Sequence, residues 1–169
     1  GGSALPTNSA EIIDFSAPTP TWTITAHMAF RRMKFNAVLL PDGKVFVVGG
    51  ESGADTGADQ PVYTPEIYDP ATATWDPVVP HQVPRMYHST AILLPDARVL
   101  VAGGDYYPSG EMYSPPYLFQ GTRPTITAPP GWIPCGSTLK LGFTSSTASN
   151  TVVLMPLSSA THSVNMGER

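Results

Sequence analysis

One cysteine, Cys135, stands in 169 residues, so the chain can close no disulfide on itself, and its redox compartment is not set by cysteine usage. Charge is scarce. Asp, Glu, Lys and Arg make up 13% of the residues, about half the share of roughly 25% found in ordinary globular chains. The net charge is −4 and no basic cluster exists, which removes the electrostatic footprint expected of a binder of nucleic acid or of an anionic membrane surface. No apolar run approaches the ~18–20 residues that a membrane-spanning helix needs. No signal-peptide pattern opens the sequence as given, which says little about an address. The first residues, GGSALPTNSAEIIDF, read as the middle of a repeat, so an N-terminal address is expected to lie upstream of them.

Turn formers are plentiful, with 15 Gly and 19 Pro, and apolar residues reach 41%. That apolar share excludes disorder, and the length allows one domain, or one and a fraction, with a real core. Low charge with dense turn formers points to β-structure rather than to surface helices.

The sequence carries one stretch almost twice: RRMKFNAVLLPDGKVFVVGG from Arg31 and RMYHSTAILLPDARVLVAGG from Arg85. Aligning Gly49-Gly50 with Gly103-Gly104 gives an offset of 54 residues and pairs Arg31 with Arg85, Val45 with Val99, and the two Leu-Leu-Pro-Asp strings. Upstream, EIIDFSAPTPTWT at 11–23 matches EIYDPATATWDP at 66–77, and GEMYSPPYLF at 110–119 echoes the same strand. Leu-Leu-Pro-Asp-Gly-Lys-Val reads as a tight hairpin in which Gly43 takes the left-handed position. Ala97 fills that position in the second copy. A side chain there costs roughly 1–2 kcal/mol, which predicts a different turn geometry. VFVVGG and VLVAGG are apolar without alternation, as in strands covered on both faces.

Four short strands per unit of about 50 residues, ending in Gly-Gly, indicate radially stacked sheets. The Gly-Gly pairs, Glu66-Ile67-Tyr68-Asp69, Trp22 and Trp75 resemble kelch repeats over residues 1–119. The resemblance implies an all-β fold: a partial kelch-type β-propeller of about two blades plus a further strand. Trp22 and Trp75, at matching repeat positions, are expected in the blade core, and Glu66, Asp69 and Glu111 in structural roles. After Phe119, QGTRPTITAPPGW is a Pro-rich boundary. The alternating strings STLKLGFTSS and NTVVLMPLSSATHSVNM suggest that residues 120–169 form the N-terminal part of a truncated immunoglobulin-like β-sandwich, a domain that needs about 100 residues.

The repeat is broken where Met33-Lys34 becomes Tyr87-His88. Adjacent residues of a strand face opposite ways, so Tyr-His alone reads as a buried phenol beside a surface imidazole. The sister unit packs without the pair, however, so stacking does not require it. Pro84 places it at a loop or strand entrance, where the backbone can aim both side chains at one point. Together RMYHSTAILLPDARVLVAGGD, EMYSPPYLFQGTRPTIT and SSATHSVNMGER, in that order, resemble the galactose oxidase and glyoxal oxidase group of copper radical oxidases over about residues 63–169.

That resemblance implies one copper ion held by Tyr87, His88 and His162. Tyr87 would be the axial ligand and the base that takes the substrate's hydroxyl proton. His88 and His162 would be equatorial, His162 arriving on a hairpin of the following domain that Asn165 steadies. Neutral imidazoles with oxygen donors suit Cu(II). The implied chemistry is oxidation of an aldehyde or primary alcohol by O2 with release of hydrogen peroxide, in a secreted protein that is a monomer when intact. The family's cross-linked tyrosine and cysteine would lie upstream of residue 1, so the fragment alone is expected to be inactive. Cys135 precedes a sandwich strand and reads as a small buried or loop residue. His27 and His81 read as surface residues, Tyr106 and Tyr107 as packed or exposed, and Arg85 as a packing residue. The alternative is a non-catalytic kelch module that binds protein or glycan and keeps the ligand motif as a relic.

Overall fold

A computed structural model describes residues 5–53, 60–127, 131–145, 151–161 and 164–165. The fold is all-β. Strands β1 (Glu11–Ile13) and β2 (Trp22–Ile24) form an antiparallel hairpin. β3 (Met33–Leu39), β4 (Val45–Glu51), β5 (Glu66–Asp69) and β6 (Thr74–Pro77) form a four-stranded antiparallel meander in chain order. β7 (Ser89–Leu93), β8 (Val99–Gly103) and β9 (Gly110–Tyr113) form a three-stranded one. Two small pairs follow: β10 (Thr125–Thr127) with β11 (Gly142–Thr144), and β12 (Ala160–Thr161) with β13 (Val164–Asn165).

The repeated hairpins have one geometry, not two. Leu40 N donates to Lys44 O at 2.8 Å, and Leu94 N donates to Arg98 O at 2.8 Å. Gly43 lies at φ 87° and Ala97 at φ 67°. The changed turn predicted for the second copy is therefore not found. Ala97 accepts the left-handed backbone, held by its own N–H to Leu94 O at 2.8 Å and by the Tyr117 hydroxyl, which donates to Ala97 O at 2.7 Å. Tyr117 reaches there from a 3-10 turn at Pro116–Phe119, so the strand that GEMYSPPYLF echoes ends at Tyr113. Consecutive prolines lack the N–H groups a strand ladder would need.

The core lies between the two larger sheets, where Val38, Leu40, Phe46, Val48 and Ile67 meet Ala91, Val99 and Val101. The ring of Phe46 stacks on Tyr113 with centroids 4.4 Å apart. As its unbroken apolar run requires, β4 is buried from Phe46 to Glu51.

Each sheet is also pinned by a buried arginine. Arg32 Nη1 donates to Gly49 O, and its Nη2 donates to Thr64 O and to the Glu66 carboxylate. Burial pulls the Arg32 pKa down, opposed by the hydrogen bond and charge of Glu66. Arg85 repeats the pattern on Gly103 O, Ser109 O and Glu111. The carboxylates in turn accept from the loop before each arginine: Glu66 from Ala29 N and Phe30 N, Glu111 from Gln82 N and Val83 N. Glu66 and Glu111 are thus structural, as expected. The true partner of Arg85 is Arg32, however, not the exposed Arg31 that the 54-residue offset selects.

Other expectations are corrected. Trp22 is 66% exposed, because among the described residues β1 and β2 pair only with each other. Trp75 is half-buried against Tyr68, and its Nε1 donates to Ala26 O at 2.9 Å. His81 is not a surface residue: it is half-buried, with Nδ1 2.7 Å from Val83 O and Nε2 3.2 Å from Val62 O. Beyond Phe119, Trp132, Val152, Leu154 and Leu157 are exposed, and Cys135 is an exposed free thiol in a turn region.

Two stability changes follow, both read from denaturant unfolding of the full-length protein. Ala97→Gly is expected to raise stability by about 1 kcal/mol, by releasing the left-handed penalty. Glu66→Ala is expected to lower it by about 3–5 kcal/mol, because the guanidinium of Arg32 is left buried without its counter-charge. A Glu66→Ala protein as stable as the parent would remove the buried pair from its pinning role.

Candidate metal centre

The arginine module determines what happens next along the chain. From Arg32 to the first residue in sheet register the path is Met33, Lys34, Phe35, with Phe35 opposite Gly49. From Arg85 the path is Met86, Tyr87, His88, Ser89, with Ser89 opposite Gly103. Both ends are fixed, so the second copy carries one residue more between them. The surplus is taken up by a turn: Ser89 N donates to Met86 O at 3.1 Å, and the Ser89 hydroxyl donates to the same oxygen at 2.6 Å. Tyr87 and His88 are the corner residues of that turn.

Backbone contacts grip the turn from two sides. Gly50 N of the preceding unit donates to Arg85 O at 2.7 Å, and Gly104 N of the same unit donates to His88 O at 3.2 Å. Glycine is required at the first contact: a Cβ on Gly49 would fall 2.1 Å from Arg85 O, and Gly49 sits at φ 72°. His88 itself lies at φ 59°, a left-handed conformation, and Lys34 matches it at φ 55°. The left-handed position is therefore common to both copies, while the turn before it is found only in the second.

At the corner, phenol and imidazole converge. The ring centroids of Tyr87 and His88 are 3.8 Å apart with 30° between planes. Neither is buried: Tyr87 is 53% exposed and the His88 side chain 64%. His88 Nδ1 lies 2.5 Å from Asp105 Oδ1. A carboxylate only accepts, so Nδ1 carries the hydrogen and Nε2 of the neutral ring offers its lone pair outward. Lys34 Nζ lies 2.7 Å from Glu51 Oε1 and 5.3 Å from the centroid of the Tyr87 ring.

His162, the third residue implied by the sequence, lies outside the described residues. The strands on either side of it do not. β12 lies beside β7, and β13 beside β3, so this strand pair is brought to the first strands of both larger sheets. Among the described residues, no group of three or more His, Cys, Asp or Glu side chains is arranged to hold a metal ion. The donor types present, an imidazole with a carboxylate behind it and a phenol in ring contact with it, are nevertheless ones that suit copper. His27 is exposed on Asn8, and Tyr106 is exposed. Tyr107 gives its carbonyl to Arg85. Sequence reasoning passed over Asp105 and Glu51. Their shared place just after Gly-Gly was the available signal.

Known proteins are similar to this chain in sequence and fold. A galactose oxidase of Gibberella zeae is 32% identical over 178 residues, spanning 96% of this chain and 26% of that protein. An aldehyde oxidase of Vitis pseudoreticulata is 33% identical, spanning 91% of this chain and 34% of that protein. A solved fungal alcohol oxidase of the AA5 family, in complex with copper, superposes with a TM-score of 0.82 at 32% identity, covering 96% of this chain and 38% of that one. The chain thus spans about a quarter to a third of the curated relatives it matches. These relatives are oxidases of galactose, aldehyde and alcohol type. Residues 4–117 match the glyoxal oxidase N-terminus family, and the chain belongs to that family.

Proposed function

We propose that the chain is part of a copper radical oxidase, with its copper held by Tyr87, His88 and His162. The larger sheets are kelch-type propeller blades within residues 1–119, and residues 120–169 begin an immunoglobulin-like domain that supplies His162. The observation that carries the reading is the one-residue surplus between the buried arginine and the first paired residue of the second unit. It brings a phenol and an imidazole into contact at one corner, and the β12–β13 pair lies beside the first strands of both larger sheets. Packing has no use for this, because the sister unit folds without it.

Copper, with the family's cross-linked tyrosine upstream, would accept the two electrons of the oxidation. The remaining work belongs to residues of this chain. His88 and His162 present neutral nitrogens, and the substrate oxygen enters on the exposed side of the corner. Tyr87 takes the proton of the substrate hydroxyl, a general-base role that requires its oxygen within hydrogen-bond reach. Overall, an aldehyde (as its hydrate) or a primary alcohol loses two hydrogens to O2, giving acid or aldehyde and hydrogen peroxide. No macromolecular partner is required, and the protein acts as a secreted monomer. Among the described residues no helix is long and apolar enough to cross a membrane.

In the full-length protein, His162→Ala is expected to abolish copper-dependent peroxide formation while far-ultraviolet circular dichroism stays that of a folded β protein. Unchanged peroxide output would remove His162 from the site and favour the binding-module alternative. Tyr87→Phe is expected to bind copper still and to turn over about 10²–10⁴-fold more slowly, the range for loss of a general base.

A further inference from the structure

We propose that Asp105 is the positioning residue of this centre: it fixes the tautomer and ring plane of His88 so that Nε2 faces the copper. The inference rests on the reading of His88 as a ligand and adds a residue to it. Asp105 touches neither metal nor substrate, so it is not a catalytic residue.

Geometry carries the first step. Asp105 Oδ1 lies 2.5 Å from His88 Nδ1, and the Gly104 N–H, one residue earlier, bonds His88 O at 3.2 Å. The side chain and the backbone of His88 are thus held by consecutive residues of one segment. An imidazole tied at Nδ1 by an acceptor has one nitrogen left for a metal, and such outer partners set ligand orientation and basicity.

The repeat carries the second step. The residue just after Gly-Gly is Glu51 in the first unit and Asp105 in the second, and each meets the side chain at the matching left-handed position: Glu51 with Lys34 at 2.7 Å, Asp105 with His88. The fold therefore provides a carboxylate to whatever stands there. With an ammonium the result is a plain ion pair, and with an imidazole it is a directed nitrogen. The shorter side chain accompanies the shorter reach.

Energetics carry the third step. The Asp105 and His88 side chains are 40% and 64% exposed. A pair so open to water contributes little to stability, so bracing the sheet does not account for it.

The test uses the full-length protein and Cu(II) alone. Copper affinity is measured by competition with a chromophoric chelator, and the bound ion by nitrogen hyperfine splitting in electron paramagnetic resonance. Asp105→Leu is expected to lower affinity about 10–100-fold, the usual range for outer-shell partners, and to alter the splitting, with an unchanged unfolding midpoint. Asp105→Asn keeps an acceptor oxygen and is expected to restore most of the affinity. In the copper-free wild type, nitrogen-15 shifts should report the Nδ1–H tautomer of His88. Wild-type affinity and splitting in Asp105→Leu, alongside copper loss in His88→Ala, would overturn the positioning role and leave the ligand assignment standing. Unchanged copper binding in His88→Ala would overturn both. A His88 ring protonated at Nε2 in the copper-free protein would overturn the role of Asp105 whatever the variants do.

Discussion

Taking a guanidinium out of water costs several kcal/mol unless its N–H groups find acceptors and its charge a partner. Arg32 and Arg85 are 1% and 0% exposed, and each is satisfied in the same manner, by carbonyls at the end of its own sheet and by a carboxylate from the next strand. The carboxylates also close the loop that leads into each arginine. Strand end, returning strand and entering loop are thereby tied to one ion pair in each unit, fully buried at Arg32–Glu66 and part-buried at Arg85–Glu111. The satisfaction is fuller at Arg85, whose Nε reaches Glu111, than at Arg32, whose Nε has no partner. That difference falls on the side where the metal site is assigned.

A constraint this tight makes chain length between fixed points a functional variable. With Arg85 locked on one side and the β7 register locked on the other, an added residue cannot slide into the sheet, because a one-residue shift would turn every side chain of β7 to the wrong face. It is expelled as a turn instead, and turn corners project side chains away from the sheet. Insertion at a pinned boundary is therefore a route by which a structural repeat gains a reactive corner without losing its core. The left-handed backbone at His88 has a local cost, but Lys34 bears it too. The conformation thus belongs to the scaffold, and the imidazole exploits what the scaffold already offers.

Much of this was legible in the sequence, and the parts that were not have physical reasons. The Leu-Leu-Pro-Asp hairpins and the apolar strand β4 were readable because local turn chemistry and an unbroken apolar run determine them. Tyr87 and His88 stood out because their repeat partners differ. The pairing of Arg31 with Arg85 misled, because the 54-residue offset assumes units of equal length, whereas burial selects Arg32, 53 residues before Arg85. Counting from Arg32 would have exposed the extra residue. Trp22 defeated the reading because burial is a property of neighbours, and its hairpin pairs with no other strand among the described residues. Asp105 went unnoticed because an acidic residue after Gly-Gly looks like an ordinary turn residue. It gains meaning only through the strand register that sets it against position 88.

The two kinds of carboxylate in each unit divide the work by dielectric. Glu66 and Glu111 act where solvent is excluded or scarce, so their pairing with arginine is strong, geometrically strict and intolerant of change. Glu51 and Asp105 act at the exposed corner, where Coulomb energy is weak but direction is still transmitted, because a hydrogen bond to a ring nitrogen orients the ring even when it stabilises little. The first pair can be tuned only by altering the fold. The second can be altered residue by residue, with the sheet intact beneath it. An exposed site with a rigid buried base is the arrangement in which ligand geometry can vary among relatives while the repeat that supports it stays constant.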